Sequence, residues 1–349
     1  MDVSRKNIKS FTLDELVEAL TSRGLRKFRA AQIIEWIYRN HASAFSEMTN
    51  ISKAERDLLD ETFLLPSPRV IRVEQSSDGT RKFLFEMEDG HRIESVLIPD
   101  NDRQTLCISS QVGCQQACRF CLTGNGGFIR NLLAYEIADQ VLEVSGLLAR
   151  EHSRGITNIV LMGMGEPLAN FDEVVKALRM ITSDAGLGFS PRRVTLSTDG
   201  LVPELDRLGK TGTRVNIAIS LNATTDEVRN ELMPVNRRYP IKALLASCRH
   251  YPLEPRRRIT FEYVMLQDVN DAGEDAQRLA ILLRGIKCKI NLIPFNPFPG
   301  STFKRPDDRT VRKFQQILLD QHYATSVRES RGRDISAACG QLRESAADA

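Results

Sequence analysis

From about residue 104 the chain alternates between two kinds of segment, and that alternation limits the fold more than any other feature. Short strand-like runs at 104–110, 157–162, 193–198, 214–220, 258–265 and 288–294 are separated by amphipathic helical stretches, among them 132–150, 171–182, 272–284 and 309–322. Repeated strand–helix units imply a parallel sheet covered by helices. Six such units within about 200 residues predict a curved, partly closed barrel, short of the full eight-stranded form. An open doubly wound sheet is the competing architecture.

Two other regions precede the alternation. Residues 12–65 read as helical. Thr12 and Glu15 form a capping box, and Leu13, Leu16, Val17 and Leu20 follow at helical spacing. Gly24 stops that helix. A second spans Phe28 to Tyr38 with Ile33, Ile34 and Ile37 on one face, and a third covers Lys53 to Phe63. Residues 69–99 are strand-like, with apolar runs punctuated by the turns Ser76-Ser77-Asp78-Gly79 and Glu88-Asp89-Gly90, the signal of hairpins. The expected organisation is a helical accessory domain at 1–66 and a small β-hairpin extension at 67–103. The partial barrel follows at 104–330, then a C-terminal tail at 331–349 with Glu344 to Ala349 disordered.

No apolar run approaches the roughly 20 residues of a membrane span. The N-terminal segment has no apolar core of the kind a secretory signal needs. A cytoplasmic protein without a membrane partner is the expectation. In that compartment clustered cysteines indicate metal binding or catalysis rather than disulfides. Three of the seven cysteines crowd into residues 114–121. The net charge is only +3, yet basic residues cluster at Arg23, Arg26, Lys27 and Arg29, at Arg237 and Arg238, at Arg256 to Arg258, and at Arg328, Arg331 and Arg333. Such clusters suit a polyanion such as RNA, though solvated helix ends and loops give the same pattern.

Cys114-Gln-Gln-Ala-Cys118-Arg-Phe-Cys121 follows the first barrel strand and precedes its first long helix. Iron–sulfur clusters are held by cysteine thiolates, normally four for a cubane. Three thiolates leave one iron open to chelate the amino and carboxylate groups of S-adenosylmethionine. Structural zinc is the rival, but it prefers closed four-ligand sites, and no second cysteine pair or histidine lies in this loop. Active sites of such barrels lie at the C-terminal ends of the strands. Gly163-Met164-Gly165-Glu166-Pro167, Ser197 to Gly200, Ser220 to Asn222 and Asn296 fall at such ends. Gly163 and Gly165 could open a dinucleotide fingerprint, but Leu168 stands where its third glycine belongs.

At these residues the sequence resembles the radical S-adenosylmethionine enzymes, and more narrowly the RlmN family of RNA adenine-C2 methyltransferases. The resemblance spans nearly the whole chain. It is carried by Ile108 to Cys114, the three-cysteine loop, Met162 to Pro167, Asn291 to Pro297 and Ala338-Cys339-Gly340-Gln341-Leu342. It implies a partial (β/α)6 barrel and a [4Fe-4S] cluster on Cys114, Cys118 and Cys121. It implies two molecules of S-adenosylmethionine per turnover, contacted by Gly165, Glu166, Ser197, Ser220, Leu221, Asn222 and Asn296. Cys339 takes the place of the family's methyl-carrying cysteine, Cys107 that of its resolving cysteine, and Glu94 that of its general base. The implied reaction is methylation of C2 of adenosine 2503 in 23S rRNA and of adenosine 37 in tRNAs. It runs in a monomer, with electrons from an external flavodoxin-like donor. Asn222 stands where a histidine is common, and Asp199 where the residue is usually small or uncharged.

Without the resemblance, Cys107 and Cys339 would read as buried apolar thiols and Glu94 as an exposed strand carboxylate. Cys248 and Cys288 read as core residues. Two other functions stay open: C8 methylation of the same ribosomal adenosine, as in antibiotic resistance, and a non-enzymatic iron–sulfur RNA-binding protein.

Overall fold

The computed structural model describes residues 5–343. Its N-terminal module is three helices, α1 (Leu13–Thr21), α2 (Phe28–Tyr38) and α3 (Lys53–Thr62). Thr12 Oγ1 accepts the Glu15 N–H, and Glu15 Oε2 accepts the Thr12 N–H at 2.6 Å, as the capping box predicts. Ser52 and Glu55 form a second capping box at α3. Ile33, Ile34 and Ile37 are buried together with Leu16 and Leu20 of α1, in a core continuous with that of the barrel.

One ten-stranded sheet forms the rest of the frame. Its strands are β1 (Arg69–Gln75), β2 (Arg81–Glu86), β3 (Arg92–Asp100), β4 (Arg103–Ile108), β5 (Asn158–Leu161), β6 (Val194–Thr198), β7 (Asn216–Ser220), β8 (Ile259–Met265), β9 (Cys288–Pro294) and β10 (Thr325–Val327). The spatial order follows the chain order. Strands β1 to β4 are antiparallel neighbours, and β4 to β10 are all parallel. Strand interiors such as Leu196, Ile217, Ile219, Phe261, Ile290 and Leu292 are buried, as expected of a parallel sheet with both faces covered. The sheet does not close, since β1 and β10 are its free edges.

Two features differ from the expectation. The hairpin strands continue the barrel sheet: Asp100 pairs with Arg103 across the Asn101–Asp102 turn, so the boundary drawn at 103/104 falls at the start of a strand hydrogen-bonded to β3. A seventh parallel strand, β10, follows the six that were read, and at three residues it is too short to show a period. Residues 344–349, expected to be disordered, lie outside the described residues.

The accessory module is tied to the barrel by a buried ion pair. Lys9 Nζ lies 2.5 Å from Asp139 Oδ2, on the helix α4 (Ala134–Arg150), with both side chains fully buried. Burial pushes the Asp139 carboxyl up to about 7, and Lys9 opposes that shift. Removing one partner of such a pair leaves an uncompensated charge. Lys9→Met is therefore expected to cost about 3 kcal/mol in urea unfolding, with Lys9→Met/Asp139→Leu recovering most of the loss. The penalty grows as pH rises above 7, where the unfolded chain ionises Asp139 freely and the folded variant resists doing so.

Candidate active site

Seven parallel strands bring their C-terminal ends to one rim, and the turns beyond them build the site. Cys114, Cys118 and Cys121 lie in the loop after β4. A two-stranded ladder of Gln111–Gly113 with Phe128–Asn131 closes that loop. Gly113, at φ +75°, lets the ladder form: a Cβ there would stand 2.1 Å from the Gly127 carbonyl oxygen. The Cys114 N–H donates to that same oxygen at 2.7 Å.

A cavity opens at the rim. Cys114, Cys118, Cys121 and Cys339 line it together. So do Gly165 and Glu166 beyond β5, Ser197 of β6, Ser220 and Asn222 at the end of β7, and Asn296 beyond β9. Three expected residues sit elsewhere. Leu221 is fully buried in the core and meets the rim through its backbone, its N–H donating to Glu262 O at 3.0 Å. Cys107 is buried on β4 beside Val160 of β5. Glu94, on β3, is buried with Oε1 3.1 Å from Lys82 Nζ, while its Oε2 accepts the Arg343 N–H at 3.0 Å. Cys107 and Cys339 are both free thiols, and Cys339 is exposed.

The C-terminal segment crosses the rim to bring Cys339 there. Leu122 N–H donates to Gly340 O at 2.7 Å, Gln341 Nε2 to Pro297 O at 3.0 Å, and Thr123 Oγ1 to Leu342 O.

Buried polar groups hold the rim in shape. Arg229 has no exposed surface. Its Nε donates to Leu221 O at 3.0 Å, its Nη2 to Asp199 O at 2.7 Å and Ser220 O at 3.2 Å, and its Nη1 to Asn236 Oδ1 at 2.9 Å. One guanidinium thus joins the turns after β6 and β7. Asn222 adopts φ +58°, a left-handed conformation that asparagine tolerates. Its Oδ1 accepts the Val264 N–H at 2.8 Å, so the residue that replaces a common histidine is engaged in holding β8. Asp199, the other departure, stands beside the cysteine loop, with Cys118 Sγ donating to its Oδ2 at 3.3 Å. Glu166 accepts the Asp199 N–H at 2.7 Å and the Leu168 N–H at 2.9 Å. Burial, then the Asp199 charge, pushes its carboxyl up.

Glu262, Arg229 and Arg328 escaped the sequence reading as site residues. Glu262 carried a signal, a carboxylate inside the apolar strand Ile259–Met265. It borders the cavity, and its Oε2 accepts Ser197 Oγ at 3.2 Å. Arg328 belongs to a basic cluster in the sequence, but it faces inward, with Nη1 3.8 Å from Glu262 Oε1 and 3.6 Å from Met162 Sδ. Negative charge on Cys339, then Glu262 and Cys107, pushes its pKa up against the effect of burial. In the N-terminal basic cluster, Arg29 binds Glu55 at 2.7 Å and Arg23 caps Ala19 O at 2.7 Å, while Arg26 and Lys27 are exposed.

The donor set suits a polynuclear group. Among the described residues, no three His, Cys, Asp or Glu side chains gather closely enough to hold a single metal ion. The three thiols surround one cavity, an arrangement that fits a cluster held by cysteine thiolates. Asn296 Oδ1 and Glu262 Oε1 are buried on its wall with no hydrogen-bond partner among the described residues. Such atoms call for a polar ligand.

Residues 108–280 match the Radical SAM superfamily, and residues 6–65 match the ribosomal RNA large subunit methyltransferase N-terminal domain. The chain is 53% identical to the dual-specificity RNA methyltransferase RlmN of Desulfosudis oleivorans, over 97% of this chain and 90% of that one. It is 52% identical to its counterpart in Syntrophus aciditrophicus, over 98% and 97%. A solved radical SAM methyltransferase from Sphaerobacter thermophilus superposes with a TM-score of 0.92 at 45% identity, over 97% of this chain and all of that one.

Close backbone approach at the rim yields a test. Gly165 has φ +100°, and a Cβ there would meet Gln111 Cβ at 2.6 Å. Gly165→Ala is expected to lower stability by about 1–3 kcal/mol in thermal unfolding, through strain and overpacking together.

Proposed function

The chain belongs to the RlmN family of radical S-adenosylmethionine RNA methyltransferases, and from that membership we propose how its own residues carry the reaction. It is a methyltransferase of dual specificity, acting on ribosomal and transfer RNA, with an iron–sulfur cluster and S-adenosylmethionine as the family's cofactors. The alternative of a non-enzymatic RNA-binding protein has no support.

In our reading Cys114, Cys118 and Cys121 hold a [4Fe-4S] cluster by three thiolates. When bound, the cluster supplies the electron that cleaves S-adenosylmethionine. Asn296, Glu262, Ser197, Ser220 and the backbone at Gly165 orient that substrate. The carrying observation is that Cys339 lines the same cavity as the three cysteines. C2 of adenine lies between two ring nitrogens and is no nucleophile, so direct polar methylation fails. A carrier thiol answers this. Cys339 Sγ accepts a methyl group by nucleophilic attack on one S-adenosylmethionine, and a second one serves the cluster.

Glu94 is the base proposed for the C2 proton. Burial raises its pKa, with Lys82 opposing, which makes it a better proton acceptor than an exposed carboxylate. Once the carbon carried on Cys339 Sγ is bonded to C2 in place of the C2 proton, linking enzyme and RNA, Cys107 is proposed to attack Cys339 Sγ. The S–S bond forms, the S–C bond breaks, and the carbon takes up a proton to become the methyl group of the released base. Burial pushes the Cys107 thiol up to about 12, and Arg328 works in the opposite direction, favouring the thiolate. The RNA presents an adenine turned out of its stack, and Arg26 and Lys27 are proposed to meet its backbone. A flavodoxin-like protein is the proposed electron donor.

The test is anaerobic incubation with reductant, S-adenosylmethionine and unmodified ribosomal RNA, with the product nucleoside identified by mass spectrometry. The reading predicts 2-methyladenosine; 8-methyladenosine, or no methylated product, would overturn it. Cys339→Ala should abolish RNA methylation. Cys107→Ala should accumulate a covalent enzyme–RNA adduct, visible as a retarded band on a denaturing gel.

A further inference from the structure

A turn remote from the cavity grips the chain just before Cys339. It is the β1–β2 turn, closed by Ser76 N–H to Thr80 O at 2.8 Å and Gly79 N–H to Ser76 O at 3.0 Å. Asp78 folds back into it, with Oδ1 accepting the Thr80 N–H at 2.9 Å. Its other oxygen, Oδ2, accepts the N–H of Gly332 at 2.9 Å, from 254 residues further along the chain. The grip is reciprocal. Asp334 Oδ1 accepts Ser76 Oγ at 2.5 Å, and its Oδ2 accepts the Ser77 N–H at 3.1 Å. The two segments also touch closely. Gly332 has φ +64°, and a Cβ there would stand 2.9 Å from Thr80 Cγ2 and 2.8 Å from Ala337 Cβ. Burial works to raise the Asp78 pKa, yet hydrogen bonds from Thr80, Gly332 and Ser76 hold it at about 2, so the acceptor stays charged at neutral pH.

We propose that this turn is a clamp fixing the root of the Cys339 segment, and that Asp78 and Asp334 are positioning residues for both steps at that thiol. The proposal rests on Cys339 being the methyl carrier. Cys339 must meet two partners in different places, the methyl donor in the cavity and Cys107 on β4. From Cys339 onward the segment makes one hydrogen bond each to Leu122, Thr123, Pro297 and Glu94, spread over separate elements. The root is held by three hydrogen bonds to one closed turn. Cys339 is the fifth residue beyond Asp334, so a fixed root confines its Cα to roughly 17 Å of the clamp. A tether of that length raises the effective concentration of the thiol at both partners. This gives the β1–β2 turn a purpose beyond extending the sheet.

The experiment uses cluster-loaded enzyme held anaerobically in glutathione buffers. Glutathione disulfide oxidises Cys107 and Cys339 to one disulfide and leaves as two glutathione thiols. The equilibrium, read by mass spectrometry, gives the effective molarity of the pair. Methyl groups transferred to RNA per S-adenosylmethionine cleaved are counted in parallel. Asp78→Ala and Asp334→Ala are each expected to lower the effective molarity at least tenfold and the methyl yield at least threefold, with cleavage of S-adenosylmethionine within twofold of the parent. Asp78→Asn and Asp334→Asn, which keep one acceptor oxygen, should fall between. Unchanged effective molarity in both alanine variants would overturn the clamp. Failure of the carrier reading shows separately, as RNA methylation that survives Cys339→Ala in the otherwise unaltered enzyme.

Discussion

Parallel strands in register must end on the same side, and the site depends on that alignment. Strands β4 to β9 come from residues spread between 103 and 294, yet each hands its next turn to one rim. No pair of these turns is close in sequence. Three thiols, the side-chain oxygens of Asn296 and Glu262 and several glycines converge because the sheet makes their exit points neighbours. The antiparallel strands β1 to β3 extend the same sheet, so Glu94 and the β1–β2 turn are positioned by the same ladder as Cys107.

The rim carries a polar load that a sheet alone would not tolerate. Buried polar groups cost free energy unless they are paired. Arg229 meets that demand with carbonyls rather than carboxylates, and in doing so locks the Asp199, Ser220 and Leu221 turns against one another. Asn222 and Asn270 do the same one strand further on, Asn270 Nδ2 donating to Asn222 O at 2.7 Å and Val264 O at 2.8 Å. These groups are satisfied within the protein, whereas among the described residues Asn296 Oδ1 has no hydrogen-bond partner and Glu262 Oε1 has only the Arg328 guanidinium at 3.8 Å. That contrast separates framework from ligand surface.

The sequence was informative wherever a local rule sufficed. Periodicity and capping placed α1 to α3 and the six longer parallel strands within a few residues, and cysteine spacing located the loop beyond β4. It was silent where the deciding fact is a contact between distant segments. A three-residue strand such as β10 has no period to detect. The joining of β3 to β4 depends on a two-residue turn that an Asp-Gly signal does not mark. Read alone, Cys339 and Glu94 would have been misplaced in exposure, since Cys339 is exposed and Glu94 buried, the reverse of what their residue types suggest, while Cys107 is buried as a thiol commonly is. Only the resemblance pointed to them. Arg328 looked like surface charge because net charge has no direction, and the inward turn of its side chain is a tertiary fact. Asp78 announced a turn by its Asp-Gly pair, but nothing local told that the turn would hold Gly332.

What ties these parts into one account is the claim that the methyl group waits on Cys339. The most direct measurement supplies cluster-loaded protein with S-adenosylmethionine bearing a deuterated methyl group, without RNA, and maps the label by peptide mass spectrometry. The account predicts a single labelled methyl on the peptide containing Cys339. Label on another residue, or none on the protein under conditions that support RNA methylation, would contradict it.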